Sequence, residues 1–556
     1  MKSTWITHFE KSGFVSSPRY NESMAYFKKM TVHSKYAKMF SIGSSPQGRS
    51  IECIVISKGE EFTPEKAKAS GKAVVLIQNG IHAGEIEGKD ACMILLRDIL
   101  VTREKEHLLD HVILLVIPIL SVDGHERISQ YNRPNQNGPV EMGWRTNSRN
   151  LNLNRDYMKA DSPEIKAFLK LFNAWLPDFF IDNHTTNGAD YQYHITYALE
   201  RFNNIDAKLG KWGKNKFIPF VLNAVEKCGF LTAQYIEMKA RNLENGIVDT
   251  PMLPRLSTGY TSVQNRLGLL VETHSLKPYE NRVRSTLAMN VAALEFLNIH
   301  FQVLKKLNRI ADAEAKKLKS LPISFELTGK SKLVKFKGFN SFYEHSSITG
   351  DSVVRYTAKP CEFEIPLFDI VRTTKSLKVP KAYVLPKEFG YIADILKLHG
   401  IKIKQITTQK RLSVEQYQFD ESTFAKKPYE GRYCVEVKCR SIRTTCTFPK
   451  GTFIVPAHQR TLRVIMNLLE PEAPDSFVSW GFFNAFFERK EYAEPYIMDP
   501  VAQQMLASDK HLRRMFFDQL QNEAFRNDPE SRLDFFYQRS QYFDNYEKKY
   551  PIFRMI

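Results

Sequence analysis

The sequence predicts an α/β protein: a mixed, mostly parallel central sheet flanked by helices, followed by a second region of mixed β-rich and helical texture. Three observations carry that prediction. Over residues 1–310, apolar runs of strand length alternate with segments of helical spacing, the order a parallel sheet needs because its strands are joined by crossovers. Beyond them the pattern shifts toward two-residue alternation and the charge changes, with 21 Lys and Arg against 10 Asp and Glu over 301–410, or +11 of the chain's +18. A chain of 556 residues is also too long for one ordinary core.

Ser41-Ile-Gly-Ser-Ser-Pro-Gln-Gly-Arg49 has the Gly, Pro and Ser density of a hairpin turn and leads into a strand over 51–57. Lys72–Gln78 is a second strand, broken at Asn79-Gly80, and Glu85–Leu100 comes next with helical spacing anchored on Ile86, Met93, Leu96 and Ile99. Val112–Leu120, Phe179–Ile181 and Leu267–Val271 read as further buried strands, their β-branched and aromatic residues uninterrupted by charge. Thr286–Leu318 is one long helical pattern that turns basic toward its end, where the first domain stops. The expected domains are 1–312, a basic β-rich 313–460, and an aromatic-rich 461–556 that is helical from Leu462 onward. Within the middle one, 379–386, 392–398 and 400–403 read as strand, helix and strand, and 433–447 and 452–455 as strands with one wet face.

Composition excludes several classes. With 43% hydrophobic and 25% charged residues the chain is globular rather than disordered. No apolar run approaches the roughly 20 residues of a membrane span. The N-terminal Met1–Lys11 lacks the apolar stretch and cleavage site of a secretory signal, so a cytoplasmic location is expected, with periplasm or secretion the alternative where a leader has been removed. The seven cysteines include no Cys-x-x-Cys pair, and their closest cluster, Cys434, Cys439 and Cys446, reads as buried thiols rather than a zinc knuckle. The positive charge raises a nucleic-acid reading, but no nucleic-acid motif accompanies it.

The chemistry gathers at strand ends. Asn79-Gly-Ile-His82-Ala-Gly-Glu85 lies where a buried strand gives way to a helix, the position at which open α/β sheets bind ligands. His82 and Glu85, three apart in the expected first helical turn, can face one point and give a zinc ion two ligands, with Gly80 and Gly84 allowing close backbone approach. In isolation the pair reads better as a helix cap, since about one His-x-x-Glu is expected by chance in this composition. Residues further along the chain change the balance. Phe179-Phe-Ile-Asp-Asn-His184 delivers a third ligand from a second strand, and Leu269-Leu-Val-Glu272 puts an acid at the end of another. Between Glu85 and His184 lie the cationic Gly143-Trp-Arg145 and the turn-like Asn150-Leu-Asn-Leu-Asn154-Arg155. His125 and Glu126 do not form His-Glu-x-x-His, since position 129 is Ser, and neither a Gly-x-Ser-x-Gly elbow nor a phosphate loop occurs. His194 and His274 read as structural histidines.

This ordered set resembles the carboxypeptidase A-like family of zinc metallocarboxypeptidases over about residues 20–300. The resemblance implies a zinc carboxypeptidase-like sheet and one Zn²⁺ per chain, held by His82, Glu85 and His184. Arg145 would polarise the scissile carbonyl, Asn154 and Arg155 would clamp the terminal carboxylate of a peptide substrate, and Glu272 would be the catalytic glutamate. The family's Asn-Pro-Asp-Gly turn appears as Ser121-Val-Asp123-Gly124. Tyr260 is the candidate for the family's substrate-capping tyrosine. The pocket for the last side chain is expected around Leu253–Thr261, where Arg255 would favour acidic residues. Two alternatives stand beside a peptidase: a deacylase of N-acyl amino acids on the same scaffold, and a non-catalytic binding protein using the basic second half.

Overall fold

A computed structural model describes residues 2–186, 188–239, 243–544 and 546–556. In chain order its first strands are β1 (Ala37–Ser44), β2 (Ser50–Ile56), β3 (Ala73–Asn79), β4 (Val112–Ile117), β5 (Phe179–Thr186), β6 (Ile195–Leu199) and β7 (Thr232–Gln234). Two short strands then leave this sheet, β8 (Glu237–Met238) and β9 (Ile247–Val248), and β10 (Leu267–His274) returns to it. The eight-stranded sheet has the order β1-β2-β4-β3-β5-β10-β6-β7. Its centre, β4-β3-β5-β10, is parallel; β2 runs against both β1 and β4, and β6 runs against β10 with β7 parallel to it. This is the mixed, mostly parallel sheet with flanking helices that the sequence predicts.

The central strands are apolar on both faces because both are covered. Along β4, Ile113, Leu115 and Ile117 join one core while Val112, Leu114 and Val116 join the other. The helices Glu87–Leu100 and Tyr279–Ile299 cover the second face, and Pro163–Trp175 covers the first. The apolar run after Val112 stops being strand at Ile117 because Pro118 has no N–H to continue the ladder. The single helix expected over 286–318 is two, Tyr279–Ile299 and Phe301–Ala315, bent by 81° at His300. No single helix among the described residues is long and apolar enough to cross a membrane.

The second half is built of antiparallel sheets. Its strands are, in order, β11 (Ser320–Leu327), β12 (Lys332–Ser346), β13 (Asp351–Phe368), β14 (Val371–Lys378), β15 (Ala382–Leu385), β16 (Lys404–Gln405), β17 (Lys410–Phe424), β18 (Val435–Phe448), β19 (Phe453–Pro456) and β20 (Lys549–Met555). The hairpin β12-β13 pairs with β9 and β8, so it extends a wall that begins in the first half. A six-stranded sheet β16-β19-β15-β20-β17-β18 includes the C-terminal strand. The reading of helix from Leu462 to the end is therefore corrected: helices over 462–469 and 495–537 give way to β20, whose Tyr550 and Ile552 are buried. The cysteine expectation also changes, because only Cys53 and Cys92 are buried and all seven are free thiols. One apolar core joins the halves: Leu76, Leu115 and Phe180 belong to the same cluster as Tyr383, Val455, Leu462 and Leu469.

Candidate active site

β3 ends at Asn79, and Gly80 turns the chain with a positive φ of 61° that a side chain at Cβ would resist. His82 and Glu85 lie in the tight turn beyond it rather than in the first helical turn, since the helix begins at Glu87. The Glu85 N–H donates to the His82 carbonyl at 2.9 Å, which keeps both side chains on one side. Gly84 is pressed between Arg133 and the Gly143 carbonyl, where an added Cβ would come within 2.7 Å of each. β5 supplies His184 at its carboxyl end, and in the β5-β10 register His184 lies opposite Glu272.

The two imidazoles present their Nδ1 atoms to the same carboxylate oxygen, Glu85 Oε2, at 3.1 Å from His82 and 3.0 Å from His184. One ligand atom from each of the three residues lies within 4.8 Å of the others, and all three are buried. Each Nε2 is engaged on the far side: that of His82 with Asn152 Oδ1 at 3.1 Å, that of His184 with Asp182 Oδ2 at 2.6 Å. Acceptors there can hold the Nε2 proton of each ring, so that in the neutral form Nδ1 is the nitrogen free to bind a metal beside the Glu85 carboxylate, the arrangement metal-ligating histidines need. Burial drives the His82 pKa down to about 4 against the pull of Glu85, so this imidazole is neutral near pH 7. Burial also opposes charge on His184, but Asp182 and Glu85 outweigh it and hold its pKa well above the usual value. Glu85 stays well below the carboxylate range despite burial because His82, Arg133 and His184 surround it.

Around this group lies a cavity of about 450 Å³ whose lining includes His82, Glu85, Arg145, Asn154, Arg155 and Glu272. Glu272 is 8% exposed; burial, with Glu85 and Asp182 adding to it, pushes its pKa up to about 8 against His184 and Arg145. Arg145 reaches Glu85 Oε1 at 3.4 Å, and its loop is fixed by the Asp-Gly turn: Trp144 N–H donates to the Gly124 carbonyl, and Asp123 accepts from Ser45, Gln47 and Ser148. Asn154 and Arg155 sit in a short 3-10 turn capped by Asn152, whose Oδ1 accepts the Asn154 N–H. Arg155 donates from Nε to the Tyr429 hydroxyl at 2.9 Å, and Glu430 accepts the Asn152 N–H at 2.8 Å. The loop between β17 and β18 thus reaches the rim of the cavity.

Two expected residues are elsewhere. Tyr260 is fully buried against Tyr157 and Phe172, with its hydroxyl engaged by Gln264 and His399, so it has no access to a substrate. The tyrosine that lines the cavity is Tyr235. Arg255 also lies off the cavity: it binds the buried Asp475 through Nε and its own backbone N–H and stacks over Trp480, so it is a strut to the second half and not a selector of acidic residues. Sequence reasoning passes over Arg133, which donates to Glu85 Oε1 at 2.6 Å, and over Asn152 and Asp182. The last is visible as an acid two residues before His184 on the same strand face. His274 and His194 are structural, as expected: His274 Nε2 meets Asp190 and the Tyr191 N–H, and His194 Nδ1 accepts from Leu231.

Two histidines and a carboxylate at the carboxyl ends of a parallel sheet, with an acid and two arginines on the same cavity, define a class of metal-dependent hydrolase sites. The family model described as zinc carboxypeptidase matches residues 23–197, so the chain carries a zinc carboxypeptidase domain there. That stretch includes His82, Glu85, Arg145, Asn154, Arg155 and His184 and ends before Glu272. Carboxypeptidase 2 of Trichophyton rubrum is 22% identical over 498 residues, and that of Trichophyton equinum 22% over 501, each alignment covering 84% of both chains. The likeness therefore runs past the first sheet into the second half. Among solved structures, a metallo-carboxypeptidase from Pseudomonas aeruginosa aligns over 51% of this chain and 70% of its own at 15% identity, with a TM-score of 0.40. A metallo-carboxypeptidase from Burkholderia cenocepacia aligns over 51% and 70% at 20% identity, with a TM-score of 0.38.

Proposed function

We propose that this protein is a zinc-dependent metallocarboxypeptidase that removes C-terminal residues from peptides, with one Zn²⁺ held by His82, Glu85 and His184. The observation that carries the reading is convergence: two members of the three-ligand group, a buried carboxyl and a guanidinium–amide pair line one cavity, with His184 beside Glu85 behind its wall. The donor set fits zinc, since two Nδ1 lone pairs and one carboxylate leave the ion a net positive charge and room for substrate. Zinc in that position supplies Lewis-acid polarisation of a carbonyl and makes water a nucleophile near neutral pH.

Glu272 takes the proton of the attacking water as general base and returns it to the leaving amine as general acid. Its raised pKa suits it to hold that proton between the two steps, and the positive charge of the loaded centre acts against the rise. Arg145 stabilises the negative oxygen of the tetrahedral intermediate, a role whose loss typically costs roughly 10²–10³ in rate. Arg155 offers a planar fork to the terminal carboxylate of the peptide, and Asn154 adds a neutral donor. A cationic corner that must be filled by a carboxylate selects chain ends over internal bonds.

The test is metal analysis combined with a peptide mixture read by mass spectrometry. One zinc per chain and loss of single C-terminal residues are expected, with Glu272→Gln keeping the zinc and losing turnover. Normal turnover in that variant would refute the role of Glu272, and hydrolysis of N-acyl amino acids with peptides untouched would refute the peptidase reading.

A further inference from the structure

A second cavity, of about 240 Å³, lies between the two halves of the molecule. Its walls are largely apolar, with Met252, Leu253, Val263, Leu321, Ile323 and Phe325 among them. Arg463, in the second residue of the helix Leu462–Leu469, also lines it. This guanidinium is 8% exposed, yet among the described residues no carboxylate forms an ion pair with it, and Asp206 acts on it only from a distance. Its Nε has no hydrogen-bond partner, and its side chain makes one long bond, 3.5 Å, from Nη1 to the Asn203 carbonyl. The one acid on the lining, Glu326, is exposed and paired with Arg372.

Among the described residues, three other arginines less than a tenth exposed have counter-charges in contact. Arg282 meets Glu87 and four backbone carbonyls, Arg266 meets Asp312, and Arg554 meets Glu415 and Glu470. A buried cation without a counter-charge in contact is costly, and a fork-shaped donor facing an apolar space is the complement of a carboxylate on an apolar body. At about 240 Å³ the space is about half that of the cavity at the zinc ligands, a size for a small organic acid rather than a peptide. We propose that this cavity is a binding site for a short-chain apolar monocarboxylate, its carboxylate paired with Arg463 and its chain against Leu321 and Ile323. The cavity is separate from the zinc ligands, although Met252 lies on the walls of both.

Hexanoate is the probe, titrated calorimetrically into the full-length protein, with hexanamide and with sodium chloride at the same ionic strength. With the carboxylate corner of the proposed active site removed by Arg155→Ala in every protein compared, saturable binding of one hexanoate is expected, with hexanamide about 10- to 100-fold weaker and chloride without effect. Arg463→Met removes an uncompensated buried charge and is expected to fold and to lose the binding. Thr250→Trp, which fills the cavity from a half-buried loop position on its wall, is expected to lose binding while leaving Arg463 in place. Absent binding, equal binding of hexanamide, displacement by chloride, or retention in both variants would overturn the proposal.

Discussion

Replacing Asp182 by Asn is expected to weaken zinc binding by about 10- to 100-fold while leaving all three ligands in the sequence. Asp182 is fully buried and serves three donors: one oxygen takes His184 Nε2 and the Ser257 hydroxyl, the other takes Gln78 Nε2 at 2.8 Å. An amide has one acceptor oxygen where the carboxylate has two. If the introduced amide turns that oxygen to His184, its NH₂ meets the Gln78 NH₂, and Gln78 cannot simply flip because its own oxygen accepts from the Tyr157 hydroxyl at 3.0 Å. If it turns the oxygen to Gln78, its NH₂ faces the His184 N–H donor to donor and the ring loses its orienting partner. Either way one buried donor is left facing another, a loss of about 1–3 kcal/mol, and in the second case it falls on the metal ligand itself. Competition of zinc between the protein and a chelator measures the affinity, and circular dichroism with a thermal melt shows that the fold survives. Unchanged zinc affinity in a folded Asp182→Asn protein would refute the claim that this carboxylate orients His184.

Three other perturbations probe different parts of the molecule. Tyr429→Phe removes the acceptor of the Arg155 Nε–H, worth about 0.5–1.5 kcal/mol, so KM for peptides should rise about 2- to 10-fold with kcat held; an unchanged KM would detach the second half from substrate binding. Arg255→Ala leaves Asp475 buried without its cation, and a loss of about 3–5 kcal/mol in urea-melt stability is expected with no change in which C-terminal side chain is preferred. Glu200 is buried, bonded to Asn204 and the Met252 N–H, and burial pushes its pKa from 4.5 up to about 8. Between those values the folded state keeps a proton that the unfolded chain has lost, so this residue makes stability fall as pH rises from about 4.5 to 8, by on the order of a few kcal/mol. Urea midpoints measured across that range should flatten in Glu200→Gln; an equal slope in both proteins would remove Glu200 from the account.

The part of the site that is legible in the sequence derives from strand ends. His82, Glu85, His184 and Glu272 each sit just past or at the end of an apolar run, and a parallel sheet brings such ends together, so their meeting is a consequence of chain order alone. The residues that sequence reasoning misses act across long separations. Arg133 reaches Glu85 from a loop with no periodicity, and Asn152 resembles any of several turn asparagines, although its Oδ1 serves both His82 and the Asn154 N–H. Tyr260 and Arg255 are candidates only by their distance along the chain from Glu272, which carries no information about side-chain direction. The helix Ser257–Val263 turns Tyr260 into the core, and the preceding loop turns Arg255 toward Asp475. The break at His300 and the return of the C-terminal strand into a sheet depend on tertiary pairing that no local pattern records.

The second half cannot be understood as an appendage to a self-sufficient enzyme. The segments around the cavity and behind it end on partners from beyond residue 390: Arg155 on Tyr429, Asn152 on Glu430, Asp161 on Arg432, Tyr260 on His399, and Arg255 on Asp475. Two of these partners, His399 and Asp475, are themselves buried, and burial of polar groups is tolerated only where both members of a pair are present. Removing the second half would therefore expose apolar core shared by both halves and take the Tyr429 hydroxyl from the guanidinium that the proposed mechanism assigns to the substrate carboxylate. The excess positive charge of 301–410 falls mainly on either side of the hairpins, on the helix Phe301–Ala315 with the turn after it and on 379–410, where it acts on solubility and on approach of acidic ligands. Length and charge thus belong to one feature, a scaffold that holds the loops of the cavity from outside the sheet that carries its ligands.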